Sequence, residues 1–463
     1  MSRRRRRAES VIEEQAYLPI LLQGSSEYQQ NYGGKSEQEI PRDHTLESVL
    51  HRANIEKAWK RVRSNKGGAG VDGMKVDDFS AFFHENWEKI ALKLREGRYR
   101  PSPVRQCQIP KGNGEFRTLG IPTVLDRVIQ QAIAQVIGPS YDSKFSDSSH
   151  GYRPQRSAQG AMKQLLNFAN ARGTKCMVVD CDLKQFFDTV DHQLMMQKLR
   201  QNITDASLLG LIKRYLKAGA ITSKGELIAS PEGMPQGGPL SPLLANILLD
   251  DLDKELHRRG HQHVRYADDF IILCNSKRAG ERILKSITNY LATKLRLTVN
   301  TTKSKVISLK EASYLGFRIY RRKIRWTERA KQNLKDKVRL LTNRSRGVSI
   351  TQVYSELRNT LRGYLNYFMI GVTFREVREL DHWLRRRMRL LYWKQWKQPR
   401  TRRRNLLKLG VDRERVKLAS RSRKGPWRIC NVEVVRYAMT NQWLADKGLV
   451  SLTDQWVKAR YKS

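Results

Sequence analysis

Val264-Arg265-Tyr266-Ala267-Asp268-Asp269-Phe270-Ile271-Ile272-Leu273 sets two apolar runs on either side of adjacent carboxylates. Short strand-forming runs around a tight polar break predict a β-hairpin with its carboxylates at the turn. Turns favour Asp, so an Asp-Asp pair alone carries little chemical meaning. A second segment gives it one. Met177 to Val179 opens another strand, followed by Asp180, Cys181 and Asp182 and then by Phe186, Phe187 and Asp188. A charge at the end of a buried strand costs desolvation free energy. Two such sites in one domain imply a cation that offsets the cost. Phosphoryl transfer uses two divalent ions roughly 3.5–4 Å apart to stabilise attacking and leaving oxygens. Carboxylates are suitable hard ligands for Mg2+. Asp182 and Asp268, on neighbouring strands, would bridge such a pair.

Outward from this hairpin, short apolar runs alternate with helical patterns from about 45 to 320, the signature of a mixed α+β domain. Asp191 to Arg200 has helical spacing. Ser241-Pro242 reads as a helix start, with Ser as N-cap and Pro in the first turn. Leu243, Leu244, Ile247, Leu248, Leu249 and Leu252 give that helix a buried stripe. Beyond about 325 the strand signals fade and basic helical patterns follow, as in Thr327 to Thr342 and Thr351 to Met369. Residues 1–44, with Arg3 to Arg7 near their start, are polar and weakly periodic and read as a mobile extension, with a short helix near Val11 to Tyr17.

Charge narrows the class of partner. The chain of 463 residues carries 88 Lys and Arg against 45 Asp and Glu, a formal net charge of +43. Such an excess repels itself unless a polyanion neutralises it, and nucleic-acid phosphates are the expected polyanion. An anionic membrane surface is the competitor. However, no run of about 18 apolar residues is present, and the charge is too widely spread for one amphipathic anchor. No membrane partner is expected. From Arg375 to Lys424 there are 19 Lys or Arg and five Asp or Glu, interleaved with Trp383, Tyr392, Trp393 and Trp396, with Trp427 just beyond. Basic residues mixed with stacking aromatics predict an RNA-binding surface. The five cysteines lack paired zinc-ligand spacing and suggest a reducing compartment.

Several further stretches, in order, resemble the reverse transcriptases encoded by group II introns. Tyr266-Ala267-Asp268-Asp269 has the form of their YxDD motif. Gly233-Met234-Pro235-Gln236-Gly237-Gly238-Pro239-Leu240-Ser241-Pro242 resembles their loop beneath the nascent base pair. Ile109-Pro110-Lys111, then Gly114, Arg117, Leu119, Ile121 and Pro122, resembles their fingers. Tyr152-Arg153-Pro154, Arg156-Ser157-Ala158 and Tyr314-Leu315-Gly316-Phe317 also match. Leu361-Arg362-Gly363-Tyr364-Leu365-Asn366-Tyr367 resembles the maturase-specific region, and Ser422-Arg423-Lys424-Gly425-Pro426-Trp427-Arg428 a motif of the C-terminal DNA-binding region.

The resemblance implies a right-hand polymerase: fingers and palm over 45–320, an α-helical thumb or maturase domain over 321–395, and a basic helical C-terminal region over 396–463. It implies copying of an RNA template from a DNA primer with dNTPs, and binding of the chain's own intron RNA and target DNA. Asp182 and Asp268 would hold two Mg2+ (or Mn2+) ions, with Asp269 in support. Asp180 competes with Asp182, but the family places an aromatic five residues after the ligand, which selects Asp182 and makes Phe187 the ring that excludes a 2′-hydroxyl. Phe186 would be the packing residue if the strand alternates. Lys111 and Arg117 would grip the triphosphate, and Gln236 would support the template base or nucleotide backbone. Lys303 would protonate the leaving pyrophosphate, with Lys305 equally placed by chemistry. Arg385, Arg386, Arg387, Tyr364 and Trp427 would contact RNA. The HNH endonuclease of some members is expected to be absent, and the expected location is cytoplasmic and nucleoid-associated, or organellar. The rivals are a non-catalytic RNA-folding chaperone and a domesticated reverse transcriptase serving DNA repair or phage defence.

Overall fold

The computed structural model describes residues 43–110, 116–173 and 176–461. The expected helix near Val11 and most of the N-terminal extension lie outside them. The chain divides into two compact units, the first ending at Ala312 and the second beginning at Ser313.

Two sheets organise the first unit. Strands β1 (Val104–Pro110) and β2 (Phe116–Ile121) form an antiparallel pair, extended through β1 by the short strands β4 (Ala220–Ile221) and β5 (Leu227–Ile228). The second sheet has the order β6-β7-β3-β8, from β3 (Met177–Cys181), β6 (His263–Tyr266), β7 (Asp269–Cys274) and β8 (Lys305–Ser308). Its pairings are antiparallel, and β3 is central. Val178, Val179, Phe270, Ile271, Ile272 and Leu273 are buried, so both central strands are apolar along nearly their whole length.

Ala158–Arg172, Lys277–Tyr290 and Ser241–Arg258 lie against this sheet, and the other helices of the unit pack on one another, because each apolar stripe needs a partner. Val124–Asp142 buries Val128, Ile129, Ala132, Ile133, Val136 and Ile137, and Thr123 caps it by accepting from the Asp126 amide at 3.1 Å. His192–Arg200 is capped by Asp191, whose Oδ1 accepts from the Leu194 amide at 2.8 Å. Ser241–Arg258 buries the expected stripe, except that Leu243 is half-buried. Its start departs from expectation. Ser241 is already helical rather than the N-cap, and its hydroxyl donates to the Pro235 carbonyl at 2.7 Å. The Ser241 hydroxyl therefore fastens the helix to the preceding loop.

In the second unit, β9 (Phe317–Tyr320) and β10 (Lys323–Trp326) form a hairpin ahead of long helices. Glu328–Leu341 and Ile350–Phe368 match the two expected helices to within a residue or two, with caps from Thr327 and Ser349. Phe374–Gln395 begins with a reciprocal capping box between Thr373 and Glu376. Its Trp393 packs with Leu406, Val411, Val416, Ile429, Val435 and Met439 from the short helices beyond it.

Candidate active site and nucleic-acid face

The hairpin forms as expected. Tyr266 pairs with Asp269, leaving Ala267 and Asp268 at the turn, so Asp268 lies in the loop and Asp269 begins β7. Ala267 takes a left-handed conformation with φ 59°, uncommon for a residue with a Cβ. On the neighbouring strand, Asp180 opposes Ile271 and Cys181 opposes Phe270, which places Asp182 just past the end of β3 beside the turn.

Asp182 is held at both ends. Its amide donates to Ser304 Oγ at 3.1 Å, and its carbonyl accepts from the Asn300 amide at 2.8 Å. Its Oδ2 accepts from Asn300 Nδ2 at 3.2 Å and pairs with Lys303 Nζ at 3.3 Å. Lys303 thus reaches the acidic cluster directly. Lys305 sits opposite Asp180 in the ladder between β3 and β8. The two lysines therefore serve different carboxylates.

Carboxylates crowded in a half-buried space oppose one another's ionisation. Burial, and then the charges of Asp180, Asp268 and Asp182, push the Asp269 carboxyl up to about 8. Asp180 is raised as well, first by burial, with Lys305 acting against the rise and Asp182 adding to it. A cation among these groups would relieve both effects, and oxygen donors suit a hard divalent ion. Among the described residues, no three His, Cys, Asp or Glu side chains form a metal cage by themselves.

Phe186 and Phe187 lie in a short 3-10 turn, Phe186–Asp188, rather than in the strand. Strand alternation therefore does not decide between them. Both rings are buried and meet edge to face at 5.2 Å. The Phe187 carbonyl accepts from the Met234 amide at 2.6 Å, and the Val190 carbonyl from the Gly233 amide at 2.7 Å. Gly233 has φ +84°, and a Cβ there would lie 2.7 Å from the Asp188 carbonyl oxygen. At the other end of the same loop, the Gln236 carbonyl accepts from the Gly120 amide of β2 at 2.7 Å. The loop therefore ties the Phe187 turn to the β1–β2 sheet, with Gln236 half-buried between them. Lys111 lies outside the described residues, and only the backbone of Arg117, paired with Ile109, is described.

The basic second unit uses several of its expected RNA contacts internally. Arg385 pairs with Asp381 at 3.4 Å. Arg386 stacks over Trp427 at 4.0 Å and donates to its carbonyl at 2.7 Å. Arg387 donates to Thr342 Oγ1 at 2.7 Å. Tyr364 is half-buried and stacks on Phe368 at 5.9 Å. Trp427 keeps 37% of its surface exposed. A basic pocket of about 250 Å³ is lined by Arg344, Trp393, Lys394, Lys397, Arg402 and Pro426. Arg402 lies over the Trp393 ring at 4.9 Å and donates to the Trp396 carbonyl at 2.9 Å, while Arg344, Lys394 and Lys397 are exposed. Lys394, Lys397 and Arg402 belong to the basic run read from the sequence, whereas Arg344 comes from a separate segment that charge alone does not mark. No helix among the described residues is long and apolar enough to cross a membrane.

Known families match both units. The family model for reverse transcriptase (RNA-dependent DNA polymerase) matches residues 109–319, and that for the group II intron, maturase-specific domain matches 331–410. Protein YkfC of Escherichia coli (strain K12) is 33% identical over 315 residues, covering 59% of this chain and 82% of that protein. Group II intron-encoded protein LtrA of Lactococcus lactis subsp. cremoris is 40% identical over 199 residues, covering 42% of this chain and 32% of LtrA. The Putative COX1/OXI3 intron 1 protein of Saccharomyces cerevisiae is 26% identical over 318 residues, covering 57% of this chain and 38% of that protein. The matched region is thus most of YkfC but about a third of the intron-encoded proteins. With a polymerase match over the acidic hairpin and a maturase match over the basic helices, the chain belongs to the group II intron reverse transcriptase and maturase family and is an RNA-directed DNA polymerase.

Proposed function

We propose that the polymerase works at the Asp182, Asp268 and Asp269 cluster, with Mg2+ as the divalent ion and Mn2+ as a substitute, and that it copies its own intron RNA during retrohoming. The observation that carries this reading is the crowding of carboxylates at the tip of the β6–β7 hairpin and the end of β3, which drives Asp269 up to about 8. Asp182 and Asp268 would hold the two ions, with Asp269 in support. When bound, the ions supply positive charge to the attacking 3′-oxygen and the leaving pyrophosphate. Asn300 and Ser304 keep Asp182 in place. Lys303, whose ammonium pairs with Asp182, gives its proton to the leaving pyrophosphate in this reading. Phe187 closes the space beneath the sugar, and the Gln236 loop backs the base pair. Lys111 and Arg117 hold the triphosphate as point charge and fork.

Residues 45–320 act as fingers and palm, 321–395 as thumb and maturase domain, and 396–463 as the DNA-binding region. The second unit grips intron RNA through phosphate contacts, with the Trp393 pocket and the Arg386–Trp427 stack as contact points. Splicing of the flanking intron at low Mg2+ tests the maturase part. Acceleration by both the wild type and Asp268→Asn supports it, since splicing chemistry belongs to the RNA. No acceleration by wild type contradicts it.

A further inference from the structure

Arg265 directly precedes the Tyr266-Ala267-Asp268-Asp269 turn, and its guanidinium is wholly buried. All five of its N–H groups have acceptors. Nε donates to Asp253 Oδ2 at 2.9 Å and Nη2 to the same oxygen at 2.6 Å. Nη2 also donates to Ser149 Oγ at 2.7 Å. Nη1 divides between Asn246 Oδ1 and the Ala267 carbonyl, each at 2.9 Å. Burial works against the Asp253 charge, yet Arg265 and His263 hold that carboxyl below its ordinary range.

Pairing with Asp253 satisfies only part of the fork, and the remaining buried N–H groups need acceptors of their own. Here the fork also reaches the peptide that leads from Ala267 into Asp268. That carbonyl belongs to the left-handed Ala267, a conformation that persists where its surroundings over-determine it. The same network presses on the turn from outside. The Arg265 amide donates to the Ser148 carbonyl at 2.8 Å, and the Arg265 carbonyl accepts from the His150 amide at 2.9 Å. Asn246 Nδ2 donates to the Gly151 carbonyl at 2.8 Å. A Cβ on Gly151 would fall on the Ala267 amide nitrogen, well inside van der Waals contact.

We propose that Arg265 is a positioning residue for catalysis: its guanidinium, shared among Asp253, Asn246, Ser149 and the Ala267 carbonyl, fixes the turn that carries Asp268. The proposal rests on the reading of Asp268 as a metal-binding carboxylate. A misplacement of about 1 Å at a reacting centre costs on the order of a hundredfold in rate, so the tolerance is small.

The test is Arg265→Lys in the full chain. An ammonium can still neutralise Asp253 but lacks the planar fork that reaches all four partners. Expected are a fall in kcat of about tenfold or more, a dNTP KM within about twofold of wild type, and a higher Mg2+ concentration for half-maximal rate. Mn2+ binding without nucleotide, followed by electron paramagnetic resonance, should weaken in parallel. Primer–template affinity should stay unchanged. If Arg265→Lys does not fold, Ser149→Ala decides, since it removes one partner and leaves the ion pair. It should lower kcat and raise the Mg2+ requirement in the same sense, to a smaller degree. A folded variant with wild-type kcat, Mg2+ midpoint and Mn2+ binding overturns the proposal. Asp268→Asn is the control. If that variant stays active, the metal reading itself fails; if it is dead while the folded Arg265 or Ser149 variant matches wild type, the positioning role alone fails.

Discussion

Removing the Phe187 ring should have two separable effects. The side chain is 7% exposed and packs edge to face on Phe186 at 5.2 Å. Phe187→Ala should therefore cost about 3–5 kcal/mol of stability, the usual range for a buried ring cut to a methyl group. The backbone should hold its place, because the Phe187 carbonyl is bonded to the Met234 amide and the adjoining turn to Gly233. If the ring excludes a 2′-hydroxyl as proposed, the vacated space admits one. A loss of about 1.4 kcal/mol in discrimination is tenfold in relative rate, so selectivity for dNTP over rNTP should drop by at least about tenfold. The assay is competitive incorporation on an RNA template, scored as the ratio of kcat/KM values. This ratio does not depend on how much enzyme remains folded. Wild-type selectivity in a destabilised Phe187→Ala enzyme would refute the reasoning, leaving Phe187 as a packing residue and Phe186 as the next ring to test.

Other changes test the parts around it. Gly233→Ala should destabilise the first unit by about 1–3 kcal/mol, since the residue has φ +84° and an added Cβ meets the Asp188 carbonyl; an unchanged melting temperature would contradict that. Lys111→Ala and Arg117→Ala should raise the apparent KM for dNTP, and weaker template binding with unchanged nucleotide kinetics would move them to the RNA track. Replacing Arg344, Lys394 and Lys397 by Gln should flatten the salt dependence of intron RNA binding, by about 0.7 in log-log slope for each phosphate that is no longer neutralised. An unchanged slope would take the Trp393 pocket out of the RNA interface.

The hairpin, the strand leading to Asp182 and the main helices were legible because their signals are local. Alternating or periodic apolar residues and capping side chains act within a few positions, as at Asp191, Thr327 and Ser349. The misreading of Ser241 shows the limit of that logic. A serine before proline suits an N-cap, but its hydroxyl was taken by the Pro235 carbonyl of a loop folding back on it. Arg265 carried no signal at all, because its partners Ser149, Asn246 and Asp253 come from two other segments and meet only in the folded unit. Arg387 shows the reverse case. Its charge suggested a free contact for RNA, while in the fold it spans to Thr342, 45 positions earlier.

The most direct test of the account is primer extension on an RNA template by Asp182→Asn and Asp268→Asn, run beside wild type with intron RNA affinity measured on the same preparations. Each change removes a negative charge from the acidic cluster and leaves the basic second unit untouched. The account predicts that DNA synthesis disappears in both variants while RNA binding remains at the wild-type level. Synthesis at wild-type rates in either variant would contradict it.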